Sequence, residues 1–166
     1  MAKAVANALE LDNVLEDTQK GKFLTFALGK EGYGIEISYV TEIIGIQSIT
    51  EVPELPEYVK GIINLRGKII PVIDVRLRFR KPSVEYNDRT CTVVIDIKDV
   101  SVGLIVDTVA EVMIIADQDI VPPPNGKTGF HNRYIKGIGK VGNGVKLLLD
   151  CEKLLNDDEM DAISNM

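Results

Sequence analysis

The 166-residue sequence contains no tryptophan, one histidine and two cysteines. His131, Cys91 and Cys151 are far apart in the chain and too few to supply the roughly four ligands of a structural zinc site. The sequence also lacks a recognisable nucleophile turn. We therefore expect no catalytic residue, no metal and no cofactor. His131 is expected to be solvated in a loop, and both cysteines are expected to be buried as small apolar side chains.

Excess basic charge and long apolar runs are absent as well. The formal net charge is −6, the pI is about 4.9, and no run of lysine or arginine forms a stripe. This balance argues against binding to nucleic acid or to an anionic membrane surface. The apolar runs fall well short of the roughly 18 residues of a membrane span, and no export signal is recognisable. We expect a soluble protein in a reducing, cytoplasmic setting, with no direct membrane insertion.

The apolar content comes from valine, isoleucine and leucine. The sequence is 45% hydrophobic but has only four Phe and five Tyr. Such aliphatic and β-branched side chains favour strands. A compact chain of this length buries roughly 68–70% of its unfolded surface, so a stable core needs no disulfide.

An internal repeat organises the sequence. Residues 58–74 (YVKGIINLRGKIIPVID) align without a gap with residues 134–150 (YIKGIGKVGNGVKLLLD), and Tyr, Lys, Gly, Ile and Asp fall in register. Further upstream, residues 34–43 align with residues 103–112. We interpret the chain as two pseudo-repeats packed side by side.

Alternating apolar residues in each half predict five short strands, which are typical of a small barrel. The strands are predicted at 22–28, 33–37, 44–52, 61–64 and 68–75, and again at 90–97, 100–106, 112–115, 136–139 and 145–149. Short helical turns are predicted at 39–43 and 107–111. Pro71 should place its strand at a sheet edge or at a bulge.

The predicted domain boundaries follow from these elements. We expect an N-terminal tail (1–21) that is mobile or a frayed helix, and a C-terminal helix capped by Asp150. The boundaries are subdomain 1 at about 22–84, subdomain 2 at about 85–150, the C-terminal helix at about 151–160 and a tail at 161–166.

The two copies of the repeat differ at one turn. The first copy has Asn64-Leu65-Arg66-Gly67, where the second has Lys140-Val141-Gly142-Asn143. An arginine on an exposed tight turn can make a bidentate contact with a partner carboxylate that lysine cannot copy. From the residues alone, a partner contact and a solvated turn charge are both open for Arg66.

Several blocks of the sequence resemble the CheW-like family of bacterial chemotaxis adaptors. These blocks are GIEISYVTEIIGI, YVKGIINLRGKIIPVIDVRLRF, VGLIVDTVAEV and LLLDCEKLL, and the Lys-Gly-Ile-Ile-Asn-Leu-Arg-Gly segment is the most specific. The resemblance covers nearly the whole chain from residue 23 to 160. It implies an all-β fold of two SH3-like five-stranded β-barrel subdomains from an internal duplication, with short helices and a C-terminal helix.

The resemblance also implies a non-enzymatic scaffold that works by contact. Such adaptors bind the cytoplasmic tip of methyl-accepting chemotaxis receptors and the regulatory domain of the histidine kinase CheA, in arrays at the membrane. Kinase contact would use apolar edges of the barrels. Carried over by position, the receptor-binding residues are Val40, Glu42, Gly61, Asn64, Arg66, Gly67, Val109 and Val112.

Two alternatives remain open at this point. A CheV-type input domain or the kinase's own regulatory domain would share this pattern, but 166 residues leave no room for a receiver or ATP-binding domain, so we expect a stand-alone adaptor. An enzyme or small-ligand binder built on two barrels is the other class. Stabilisation by an added ligand would identify it.

Overall fold

The structure is a computed structural model that describes residues 19–123 and 133–155. The predicted N-terminal tail up to residue 18, His131, and the predicted C-terminal helix and tail from residue 156 onward lie outside the described residues.

The described part of the chain is mostly β-structure, which confirms the predicted fold class. Its strands are Lys22–Leu28 (β1), Glu31–Glu36 (β2), Val40–Gly45 (β3), Val59–Leu65 (β4), Lys68–Asp74 (β5), Cys91–Ile97 (β6), Val100–Val106 (β7), Thr108–Ile114 (β8), Ile120–Val121 (β9), Ile135–Val141 (β10) and Gly144–Leu149 (β11). Two short helices, Val75–Arg78 (α1) and Cys151–Leu154 (α2), each begin after an aspartate cap, Asp74 and Asp150. The side chain of each cap accepts a hydrogen bond from a backbone N–H in the first turn, as predicted for Asp150.

Four local predictions were wrong. The helical turns predicted at 39–43 and 107–111 are largely the strands β3 and β8. Their β-branched residues pair with strands distant in sequence, and this tertiary pairing overrides a short local pattern. The strand predicted at 44–52 is mostly irregular beyond β3 and forms only an isolated bridge from Thr50 to Ile62. The strand containing Pro71 lies inside its sheet, and the bulge in its pairing with β4 is on β4. Its pairing with β7 begins one residue after Pro71, at Val72.

The strands form a six-stranded and a five-stranded sheet that exchange hairpins. The six-stranded sheet has the order β8-β1-β2-β11-β10-β9, and the five-stranded sheet has the order β3-β6-β7-β5-β4. The repeat equates β1 to β5 with β6, β7, β8, β10 and β11, respectively. Applying this correspondence to the five-stranded order gives β8-β1-β2-β11-β10, which is the six-stranded order without β9. The sheets therefore reflect the duplication, but each takes strands from both sides of residue 84.

Three apolar clusters hold these sheets. The largest lies between them and includes Phe26, Ile35, Ile95 and Leu104. A smaller cluster, which includes Ile63 and Ile105, lies on the opposite face of the five-stranded sheet. A third cluster, of Phe23, Ile115 and Leu148, packs against the six-stranded sheet. Consecutive side chains of a strand point to opposite faces, so the inner strands are buried on both faces. This explains their continuous apolar sequences.

Candidate partner-binding surface

The turn between β4 and β5 presents Arg66. Leu65 pairs with Lys68, which leaves Arg66 and Gly67 as a two-residue loop with φ angles of 53° and 87°. Positive φ at both loop residues is the requirement of a type I′ hairpin turn, whose twist matches that of the strands. Asn64 fixes the turn, because its side-chain oxygen accepts a hydrogen bond of 2.8 Å from the backbone N–H of Gly67. Arg66 is therefore held on a defined backbone.

The equivalent turn in the second repeat shows what Arg66 replaces. The residue that corresponds to Arg66 is Gly142, and its φ angle is 56°. Both repeats thus have the same left-handed backbone conformation at this position, but only the second repeat has glycine, which adopts it without strain. A left-handed conformation costs an ordinary residue about 1–2 kcal/mol. Arg66 therefore occupies this position against a backbone preference.

Arg66 also connects the two edges of its sheet. Its Nη2 lies 2.5 Å from Oε1 of Glu42 in a salt bridge. Glu42 is on β3 and Arg66 follows β4, and these are the first and last strands of the five-stranded sheet. The sheet is therefore rolled so that its edges approach. The Arg66 side chain remains 69% exposed, so most of its hydrogen-bond donors still face solvent.

Gly61 has a structural role in the same sheet. It is buried at a bulge of β4 with a φ angle of 146°, and a Cβ placed there would lie 2.1 Å from the carbonyl oxygen of Thr50. Only glycine permits this approach, through which Thr50 and Ile62 exchange backbone hydrogen bonds. Gly61 supports the strand that carries Arg66, and it does not present a surface for contact.

The three predicted valines lie on the edge strands β3 and β8. Val40 and Val109 are equivalent by the repeat, and both are half-buried against the cluster between the sheets. Val112 is 49% exposed on β8. The structure thus joins Glu42, Asn64, Arg66 and Gly67 by direct contacts around the turn. Val40 and Val109 instead pack against the cluster between the sheets.

Two exposed apolar residues near the turn were not predicted. Ile43 follows Glu42 on β3, and Ile69 is the cross-strand partner of Asn64 on β5. Their exposed fractions are 44% and 54%. The sequence gives no signal that distinguishes them from core isoleucines, since exposure depends on how the sheet rolls.

A second ion pair fixes the start of β8. Arg76 of α1 donates from Nε and Nη2 to the two carboxylate oxygens of Asp107, at 2.7 Å and 2.5 Å. The backbone N–H of Gly29 also donates to Asp107, at 2.7 Å. The hydrogen bond from Arg76 is the main cause that lowers the pKa of Asp107 below its usual value, and the pKa of Arg76 is raised in turn. These contacts join α1 and the turn between β1 and β2 to the start of β8.

Reactive and metal-binding groups are sparse in the part of the chain that the structure describes. Cys151 is buried, as predicted, and burial raises the pKa of its thiol to about 12, whereas Cys91 is only half-buried. Within residues 19–123 and 133–155, no group of three or more His, Cys, Asp or Glu side chains is arranged to hold a metal ion. None of the helices in these ranges is long and apolar enough to cross a membrane.

Comparison with known proteins gives consistent matches along the chain. Residues 22–159 match the CheW-like domain family. The chain is 35% identical over 162 residues to the chemotaxis protein CheW of Klebsiella aerogenes, and the match covers 98% of each chain. It is 36% identical over 149 residues to the chemotaxis protein CheW of Treponema pallidum, covering 87% of this chain and 88% of that one.

A solved structure agrees with these sequence matches. The scaffolding protein TtCheW from Thermoanaerobacter tengcongensis superimposes with a TM-score of 0.77 at 37% identity, covering 84% of this chain and 94% of that one. A family match over most of the chain, full-length relatives above 30% identity and a shared fold lead to one conclusion. The chain belongs to the CheW family of chemotaxis proteins.

Proposed function

We propose that this CheW-family scaffold, which is not an enzyme, couples methyl-accepting chemotaxis receptors to the histidine kinase CheA. It would bind the cytoplasmic tip of the receptors and the regulatory domain of the kinase, and would be recruited from the cytoplasm to receptor arrays at the membrane. The main support for the receptor contact is the position of Arg66, which is exposed on a rigid turn in a backbone conformation that favours glycine.

The surroundings of Arg66 suit a receptor helix. A helix docks by placing an apolar stripe on a complementary surface. Ile43 and Ile69 supply exposed apolar area beside the turn, and Val112 supplies it on β8. Val40 and Val109 would form the half-buried floor between the sheets. A charged residue beside an apolar area fixes the register of a partner more than it adds affinity.

The Glu42 salt bridge gives Arg66 a defined resting position. Arg66 uses one hydrogen bond to Glu42, whereas a guanidinium can donate five. A receptor carboxylate could share the guanidinium or replace Glu42 on it. In both cases the arginine is held in position before the partner arrives, which reduces the side-chain entropy lost on binding.

Kinase contact is proposed at apolar strand edges. Ile114 is 72% exposed on β8, an edge strand of the six-stranded sheet. An exposed edge can pair with a strand of another chain, and an apolar side chain there adds buried area.

Replacement of Arg66 by glycine tests the receptor contact. Arg66→Gly removes the guanidinium and relieves the left-handed strain, so the variant should fold with a free energy of unfolding within about 1 kcal/mol of the parent. Calorimetric titration with a receptor-tip fragment should show roughly tenfold weaker binding, as for one lost charge-assisted hydrogen-bond pair. Titration with the CheA regulatory domain should be unchanged.

Lys98→Gly is the matched control. Lys98 is also a basic residue with a positive φ angle, 49°, but it lies in the turn between β6 and β7. This variant should bind both partners as the parent does. Equal receptor affinity of the parent and Arg66→Gly would remove Arg66 from the interface, and failure of the parent to bind either partner would overturn the adaptor function itself.

A further inference from the structure

A basic cleft lies apart from the surface described above. Its volume is ≈ 570 Å³, within the range of ligand sites, and none of its lining residues belongs to the Arg66 surface. Among the residues that the structure describes, four cationic side chains, Arg78, Arg80, Lys81 and Arg133, line it together with one carboxylate, Glu31. This is a local excess of positive charge on a protein whose net charge is −6.

The walls of the cleft are aromatic and apolar. The ring of Phe79 lies between those of Tyr33 and Tyr134, with centroid distances of 5.6 Å and 5.7 Å. Ile135 and Leu147 complete the apolar lining. The hydroxyl of Tyr33 donates to Glu31, and Lys81 lies 3.6 Å from the same carboxylate. Glu31 is thus already engaged by two neighbours on its own side of the cleft.

The arginines of the cleft are held by the fold. Arg78 is only 8% exposed, and its guanidinium lies over the rings of Tyr58 and Tyr134, 4.3 Å and 4.6 Å from their centroids. Its Nε donates to the carbonyl of Leu154. The guanidinium of Arg133 lies 5.4 Å from the Tyr134 ring. Stacked guanidinium groups lose less freedom when they bind a carboxylate.

Arg80 occupies a position that favours glycine. It follows the cap of α1 with a φ angle of 61°, its N–H donates to Leu77, and the N–H of Lys81 donates to Arg76. These two bonds are those of a Schellman motif, in which the left-handed residue is usually glycine. An arginine at this position directs charge to the cleft at a backbone cost of about 1 kcal/mol.

We propose that this cleft binds an acidic peptide segment of a protein partner, with carboxylates on Arg80 and Arg133 and an apolar side chain against Phe79 and Ile135. Arginine clusters commonly bind acidic motifs, and the apolar wall provides a pocket for an apolar side chain of such a motif. The site is independent of the receptor surface, so its failure would leave the coupling function untouched.

The test uses the full chain and a fluorescein-labelled peptide, Glu-Asp-Phe-Glu-Asp-Leu, followed by fluorescence anisotropy at low salt. The Arg80→Asn/Arg133→Gln double variant removes two cleft charges, and asparagine tolerates the left-handed backbone at residue 80. The control variant, Arg89→Gln/Lys140→Gln, removes two exposed charges outside the cleft. A peptide with Gln and Asn in place of the acidic residues tests the charge of the ligand.

The expected result is saturable binding of the acidic peptide only, weakened at least about fivefold in the cleft variant and less than about twofold in the control. Equal weakening in both variants, or no saturable binding, would overturn the site. Residues 156–166 contain four acidic and no basic residues. If neutralising those four residues in the full chain tightened peptide binding more than about fivefold, the chain's own segment would be the ligand, and the partner assignment would be wrong.

Discussion

Arg66 and Arg80 both have positive φ angles at positions where glycine is the easier choice. Each lies on a short turn whose backbone is fixed by hydrogen bonds, from Gly67 to Asn64 in one case and from Arg80 and Lys81 to α1 in the other. Backbone strain at an exposed arginine supports a role for its charge, because nothing in the turn itself requires that side chain.

Asp107 gives a prediction at the scale of a residue. Asp107→Asn should lower the free energy of unfolding by about 2 kcal/mol at pH 7, because it breaks a charge-assisted pair with Arg76. The pKa of Asp107 is lowered in the folded protein, so its contribution is present above the ordinary aspartate value of about 3.9 and is lost as pH falls through the lower folded value. The difference between parent and variant should therefore narrow below about pH 4.

Urea unfolding at a series of pH values measures this difference. Asp88→Asn is the control, since Asp88 is exposed, and its free energy of unfolding should follow the parent within about 0.5 kcal/mol. A gap between Asp107→Asn and the parent that stays constant from pH 7 to pH 3 would contradict the argument.

At the scale of the elements, the inner strand β7 lies between two apolar clusters. Leu104 on β7 is completely buried in the cluster between the sheets, whereas its chain neighbour Ile105 faces the cluster inside the five-stranded sheet. Such strands read as continuous apolar runs, and their burial on both faces accounts for the pattern.

Leu104→Ala should therefore be costly. We expect a loss of about 3 kcal/mol in the free energy of unfolding, from the removed apolar group and the cavity left between the sheets. Ile69→Ala, on an exposed position of β5, should cost less than about 1 kcal/mol. Thermal or urea unfolding of the two variants measures both values, and similar losses would argue against a packed core at Leu104.

The sequence predicts where the strands of this protein lie better than it predicts which strands pair with each other. The hairpin strands at 22–28 and 100–106 have the predicted bounds because alternation and turn residues are local signals. The turns predicted at 39–43 and 107–111 are strands because β6 and β1 pair with them from the other half of the chain. For the same reason Arg66 could be predicted as a candidate, whereas its salt bridge to Glu42 could not.

At the scale of the whole molecule, the exchanged hairpins join the two halves. β2 pairs with β11, and β5 pairs with β7, so each sheet contains a parallel contact between halves. The largest apolar cluster also joins the two sheets. Neither half of the sequence can complete a sheet or bury its hairpin alone.

The protein should therefore unfold as one cooperative unit. Native-state hydrogen exchange should give amides of β1 and β7 the same opening free energy within about 1 kcal/mol, because neither sheet can open while the other stays intact. Exchange of the two strands through separate openings several kcal/mol apart would show that each sheet folds independently.

The exchanged hairpins also indicate how the Arg66 turn could arise in only one of the two repeats. The arrangement is that of a domain-swapped dimer of half-length chains joined into one polypeptide. A homodimer must carry the same residue at both copies of every position, and its stability depends on concentration. Fusion removes both constraints. Gly142 could remain in one repeat while Arg66 arose in the other, and Leu154 could remain while Arg78 arose, so that a symmetric scaffold came to have one arginine turn and one central arginine.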